Sequence, residues 1–235
     1  MKIKGPLIPA VFLDRPNRFL TIISIDGINY KSHLPDPGRL KELLEVGVKI
    51  YVRPEPRSSL RKTRFTTVFV EKNGQLISLV STLPNVFVKD ALINKQLSMY
   101  KDFKLIRPEI KIKNHRIDFL LEDKKGDPFY LEVKSVSFVE NGIAKFPDSV
   151  TRRGMLHLRL LKSLTLKGYN TGVLFVCQRS DAFSFQPMWD RDLDFSSALL
   201  DAFNHGVKVN CITLNISKSK ITFNSEIPLN LENRD

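Results

Sequence analysis

The sequence predicts an α+β chain, part α/β, in two units: a small closed β-barrel of OB type over residues 1–82, then a mixed sheet with flanking helices over residues 83–235. Three observations carry this. The first 82 residues hold six short runs rich in β-branched and aromatic residues, LIPAVFLD, RFLTIIS, INYKSHL, VKIYVR, FTTVFVE and QLISLV, parted by Pro, Asp-Gly or Asn-Gly. From residue 83 the order reads helix, three strands, helix, strand, which is the layering of a covered sheet. A hydrophobic content of 42% over 235 residues excludes global disorder.

In the first unit Asp26-Gly27 and Asn73-Gly74 are hairpin turns, because both central positions of a tight hairpin need positive φ. The segment from Gly38 to Gly47 reads as a helix with Leu40, Leu43 and Leu44 on one face and a glycine stop. HLPDPGRL is the turn entering it, and Asp36 the capping residue. The run RPEPRSSLRKTRF carries Arg53, Arg57, Arg61, Lys62 and Arg64 against one acid, Glu55. It reads either as a clamp on a nucleic-acid backbone or as a solvated loop.

The second unit opens with LPNVFVKDALINKQLSMY, a helix that Asn85 can cap and whose Val88, Leu92 and Met99 share a face. The central stretch is residues 115–136, HRIDFLLEDKKGDPFYLEVKSV. Two apolar runs around the turn cluster Asp123 to Pro128 form a hairpin. Symmetry about Lys125 places Asp118 opposite Glu132, and Lys134 shares the face of Glu132. Like charges on strands about 4.8 Å apart repel, so the pair calls for a divalent cation. Mg²⁺ or Mn²⁺ suits Asp118 and Glu132, with the Val133 carbonyl as a further ligand. Lys134 would then help the attacking water or stabilise developing charge, and the implied reaction is phosphodiester hydrolysis.

That spacing, Asp, about a dozen residues, then Glu-x-Lys, resembles the PD-(D/E)xK nucleases. In such enzymes a helix before the core strands often adds an acid, and the resemblance makes Asp90 that candidate. After the hairpin, Pro147 and Asp148 start a helix whose Val150, Leu156, Leu160, Leu161 and Leu164 face the core, with Gly168 as its stop. Arg152, Arg153 and His157 share its other side, toward a phosphate backbone. Residues 171–178 form a buried strand. A helix near Phe195 to Asn204, with Asp192 and Asp194 at its start, and two final strands complete the unit.

Lysine and arginine number 37 against 25 acidic residues, a net charge of +12, and the pI is near 9.7. A polyanionic partner follows, nucleic acid foremost and DNA before RNA. Cys177 and Cys211 lie in apolar runs and read as buried free thiols. The four histidines are scattered, which argues against structural zinc. No run reaches the roughly 18 apolar residues of a membrane span and no signal-peptide core stands at Met1, so no membrane partner and a cytoplasmic location are expected. Homo-oligomerisation is left open.

Taken in order, LIPAVFLDRPNRF, HLPDPGRLKELLEVG, RKTRF, LPNVFVKDAL, RIDFLLE, YLEVKSV, FPDSVTRRGMLHL, LFVCQR and LDF resemble the sugar fermentation stimulation protein family nearly end to end. The resemblance implies an N-terminal OB-like domain joined to a PD-(D/E)xK nuclease-like domain. It also implies a DNA-binding role linked in some bacteria to sugar utilisation, and sets Asp90, Asp118, Glu132 and Lys134 on the nuclease positions. This chain has Asp36-Pro37-Gly38 where the family commonly has Asn-Thr-Gly or Asn-Pro-Gly, and Asp90 where Glu is common. Two function classes therefore stand: a metal-dependent nuclease, and a non-cleaving DNA-binding regulator of sugar metabolism genes.

Overall fold

A computed structural model of the chain describes residues 1–56 and 61–233. The first six strands are β1 (Ile8–Asn17), β2 (Leu20–Ile25), β3 (Ile28–His33), β4 (Lys49–Pro54), β5 (Phe65–Lys72) and β6 (Gln75–Ser78). They pair in the order β3-β2-β1-β4-β5-β6, and a parallel contact of β3 with β5 closes five of them into an OB-like barrel. Asp26 and Gly27 have φ of 50° and 80°, and Asn73 and Gly74 51° and 74°, so both hairpins turn as their sequences require. Alternation along the strands sends Ala10, Phe12, Ile23, Ile50, Val52, Val70 and Ile77 inward.

The helix expected from Gly38 to Gly47 does not form; the segment makes a single turn, in which Leu43 and Leu44 both donate to the Leu40 carbonyl, at 3.1 and 2.9 Å. The cause is Arg15 on β1. Its guanidinium donates to the carbonyls of Asp36 (3.2 Å), Gly38 (2.7 Å) and Arg39 (2.6 Å), which takes the acceptors a first helical turn would need. Leu40 then adopts φ of 51°. Leu40, Leu43 and Leu44 are nevertheless buried in the barrel core, so the apolar pattern marks burial here and not helix.

The second unit comprises α1 (Leu83–Ile93), a 3₁₀ turn at Ser98–Tyr100, β7 (Lys104–Ile112), β8 (His115–Glu122), β9 (Pro128–Val136), β10 (Val139–Glu140), β11 (Ile143–Phe146), α2 (Arg152–Thr165), β12 (Asn170–Cys177), β13 (Ser184–Pro187), α3 (Leu193–Asn204), β14 (Lys208–Ile216) and β15 (Ile221–Ile227). Its main sheet runs β15-β14-β12-β9-β8-β7, with β9, β12 and β14 parallel and the outer pairings antiparallel. Helix α1 covers one face over Phe119, Leu131, Val133 and Leu174. Helices α2 and α3 cover the other against Val173 and Phe175. Burial on both faces explains why β12 is apolar at nearly every position. A small sheet, β10-β11-β13, is an addition that strands of two to four residues do not announce in sequence.

Helix α2 starts at Arg152, later than expected, and Val150 is exposed. Its N-cap is Thr151, whose hydroxyl accepts from Gly154 N at 3.1 Å. Asp192 caps α3 by accepting from Phe195 N at 3.0 Å, and its other oxygen accepts from Thr151 N at 2.7 Å. One buried carboxylate therefore sets the start of both helices. Asp192→Ala leaves two backbone N–H groups unpaired and is expected to cost about 1–3 kcal/mol, read as a lower urea midpoint with unchanged slope.

The two units meet tightly at Gly38. A Cβ there would lie 2.6 Å from Asp148 Oδ2, and the neighbouring Arg39 N donates to that oxygen at 2.8 Å. Cys177 and Cys211 are free and buried. Among the described residues no helix is long and apolar enough to cross a membrane.

Candidate active site

The site grows out of the β8–β9 hairpin. Asp123 Oδ1 accepts from Lys125 N and Asp127 N, at 2.8 and 2.9 Å, and fixes the turn. The register is the one that symmetry about Lys125 requires: Phe119 faces Leu131, Leu120 faces Tyr130 and Leu121 faces Phe129. Beyond Phe119 and Leu131 the two strands part, β8 staying with β7 while β9 runs beside β12. Asp118 and Glu132 stand at this fork.

Each acid is held by different elements. Asp118 Oδ2 accepts the Val133 N–H at 2.8 Å, taking over a donor that the parted ladder no longer pairs with β8. Its Oδ1 accepts from Asn85 Nδ2 on α1 at 2.7 Å. Asn85 is therefore not the helix cap expected of it: the N-cap position is Thr82, and Asn85 lies within the first turn. Glu132 is 3% exposed and directed at α2. Its Oε1 accepts from Lys134 Nζ at 2.5 Å and is hydrogen-bonded to His157 Nδ1. Its Oε2 is buried and, among the described residues, has no hydrogen-bond partner.

These surroundings push the two acids apart. Burial, and then the charge of Glu132, raise the Asp118 carboxyl to about 6, against the opposing pull of the Val133 N–H, Lys134 and Asn85. Burial acts on Glu132 in the same direction, but Lys134 and His157 together outweigh it and hold that carboxyl below its ordinary value. A buried carboxylate oxygen without a donor, beside a second carboxylate whose ionisation is resisted, is a place where a hard cation fits. Among the described residues no group of three or more His, Cys, Asp and Glu side chains is arranged to hold a metal. Asp118 and Glu132 could offer two carboxylates to such an ion, a number that suits one that keeps several of its waters.

The structure does not bring Asp90 to the fork. Its carboxylate is half-buried and lies 3.6 Å from the Met1 ammonium. Arg152 and Arg153 are exposed and line a cleft with Lys111, His115 and Arg116. His157 does not share their solvated side: it is 2% exposed and belongs to the acid centre, at the inner wall of the cleft. On the barrel, Arg61, Lys62 and Arg64 are exposed and Arg53 half-buried; Arg57 lies outside the described residues. Arg61 pairs with Glu55 at 3.4 Å. Arg61 and Arg64 line a groove with Pro54 and Phe65 that shares no residue with the α2 cleft.

Asn85 and His157 are the two site residues whose roles the sequence conceals. A single polar side chain between Leu156 and Leu158 was the one local signal for His157, and Asn85 had none beyond its place in a helical first turn.

Barrel, forked sheet and flanking helices define a two-domain protein, an OB-like barrel joined to a mixed-sheet domain with helices on both faces. The SfsA N-terminal OB domain matches residues 13–79, and the Sugar fermentation stimulation protein RE domain matches residues 82–220. The chain belongs to the sugar fermentation stimulation protein family. It is 41% identical over 209 residues to a sugar fermentation stimulation protein homolog of Moorella thermoacetica, covering 89% of this chain and 90% of that one. It is 39% identical over 208 residues to a homolog from Acetivibrio thermocellus, covering 88% of each. The structure of Pyrococcus furiosus SfsA in complex with Ca²⁺ superposes with a TM-score of 0.88 at 25% identity, covering 98% of both chains.

Proposed function

We propose that this protein is a cytoplasmic, Mg²⁺- or Mn²⁺-dependent nuclease that hydrolyses DNA phosphodiesters. The observation that carries the reading is the fork itself, where Asp118, Glu132 and Lys134 are gathered at the point where two core strands separate. Asp118 and Glu132 would hold the cation, Glu132 through its unpaired Oε2, with the Val133 carbonyl as a further ligand. A bound hard cation would supply Lewis-acid activation of the phosphodiester and of water. Lys134 adds a fixed positive charge beside the reacting phosphate. Arg152 and Arg153, with Lys111 and Arg116, would seat the backbone in the cleft, and Arg53, Arg57, Arg61, Lys62 and Arg64 would extend the contact along the barrel. Asp90, committed to Met1, is given no part in the chemistry. That the Pyrococcus furiosus protein was solved with Ca²⁺ supports a divalent ion, since calcium and magnesium share oxygen ligands.

A non-cleaving DNA-binding regulator is the second reading. The tie of Lys134 to Glu132 favours it, as does the small donor set. Incubation with labelled duplex, flap, junction and single-stranded DNA in Mg²⁺, Mn²⁺ or EDTA separates the two. Cleavage in Mn²⁺ or Mg²⁺ and none in EDTA is the expected result. Salt-sensitive binding without cleavage in any cation would establish the regulator instead, and absence of binding at low salt would dispose of both.

A further inference from the structure

On α2 the arginines of the cleft lie one turn from the acid centre, and His157 joins the two. Its ring nitrogens have different partners: Nδ1 meets Glu132 Oε1, while Nε2 lies 3.5 Å from Arg153 Nε. An arginine Nε–H can only donate, so the tautomer that satisfies both contacts is the one with its lone pair on Nε2. The ring proton is then on Nδ1, from where it is donated to the carboxylate. His115 packs edge-on against the ring, with centroids 5.7 Å apart and planes at 89°, which fixes the ring plane from the cleft side.

Lys134 and His157 use the same oxygen of Glu132. Oε1 is thereby anchored from two directions, the carboxylate cannot rotate, and Oε2 is left as its open atom. We infer that His157 is a positioning residue, which locks Glu132 with Oε2 turned to the cation and, through Arg153, ties the acid centre to the cleft that receives the nucleic-acid phosphates. This rests on the nuclease reading above. A carboxylate held by an imidazole has a defined direction in space, and loss of such an outer partner weakens a metal site about 10–100-fold.

The test uses the whole protein and Mn²⁺ as the probe, titrated by calorimetry and by electron paramagnetic resonance. An asparagine places its amide N–H near the position of imidazole Nδ1, whereas a glutamine places it near Nε2. His157→Asn is therefore expected to keep Mn²⁺ affinity within about threefold of wild type, while His157→Gln and His157→Ala lose about 10–100-fold. Circular dichroism and urea midpoints show that each variant is folded before the affinities are compared. If Asn falls as far as Ala, or Ala loses nothing while wild type binds Mn²⁺, the inference is overturned and the nuclease reading stands. If wild type takes up no Mn²⁺, both fall. Nitrogen-15 NMR of the unsubstituted protein gives a readout that no folding defect can blur: a proton on Nδ1 and a bare Nε2 of His157 are expected, and the reverse tautomer overturns the inference.

Discussion

Lys134→Ala is expected to lower DNA cleavage roughly 10²–10³-fold while duplex binding in EDTA persists. The lysine is not a surface charge: its side chain is 12% exposed and its Nζ lies 2.5 Å from Glu132 Oε1. Its field reaches Asp118 as well, where it favours the ionised form. It therefore acts on both acids and, in the proposed chemistry, on the phosphate. Truncation also leaves the buried Glu132 with His157 as its remaining partner at Oε1, and breaking a buried pair from one side costs about 3–5 kcal/mol. Activity and stability must be read separately. Urea unfolding of Lys134→Ala and Lys134→Met reports the second, and single-turnover cleavage by protein shown folded by circular dichroism reports the first. Wild-type cleavage by folded Lys134→Ala would remove the lysine from the mechanism.

Asp118→Asn is expected to abolish cleavage and yet, without divalent cations, to stabilise the fold at neutral pH. The Asp118 carboxyl is raised to about 6 by burial and by Glu132. In the unfolded chain it titrates near 3.9. The folded protein therefore binds the proton more tightly. The resulting stability is fully present below about pH 4, is lost as pH rises through about 6, and is absent above that. The ionised carboxylate then burdens the cation-free fold by up to about 3 kcal/mol. An asparagine removes that burden and still offers an oxygen to Val133 N. Between pH 4 and 6 in EDTA the urea midpoint of wild type is expected to drop relative to that of the variant, the difference being the Asp118 contribution. Equal pH dependence of the two would show that Asp118 carries no such load.

Local chemistry explains what could be read from the chain and what could not. The β8–β9 register was legible because Asp123 and Gly126 fix the turn, and the turn fixes which residues face each other. Both glycine hairpins of the barrel were legible for the same reason. The leucines at 40, 43 and 44 announced burial but misreported conformation, because Arg15, far off in sequence, claims the carbonyls a helix would use. The fork was visible in part. Asp118, Glu132 and Lys134 lie on strands where period two decides direction, whereas Asn85 and His157 arrive from helices whose rotation only packing sets. Asp90 shows the same limit from the other side: it shares a helix with Asn85, five positions on, and points elsewhere.

The bond between the Asp118 carboxylate and the Val133 amide means that this acid is also part of the scaffold. Erasing its oxygens would unpair one strand amide at the fork, whereas erasing the ammonium two positions past Glu132 would leave a buried charge without its counterweight. A lineage drifting toward catalytic silence would accordingly let the aspartate become asparagine first and keep the lysine long after turnover had ceased.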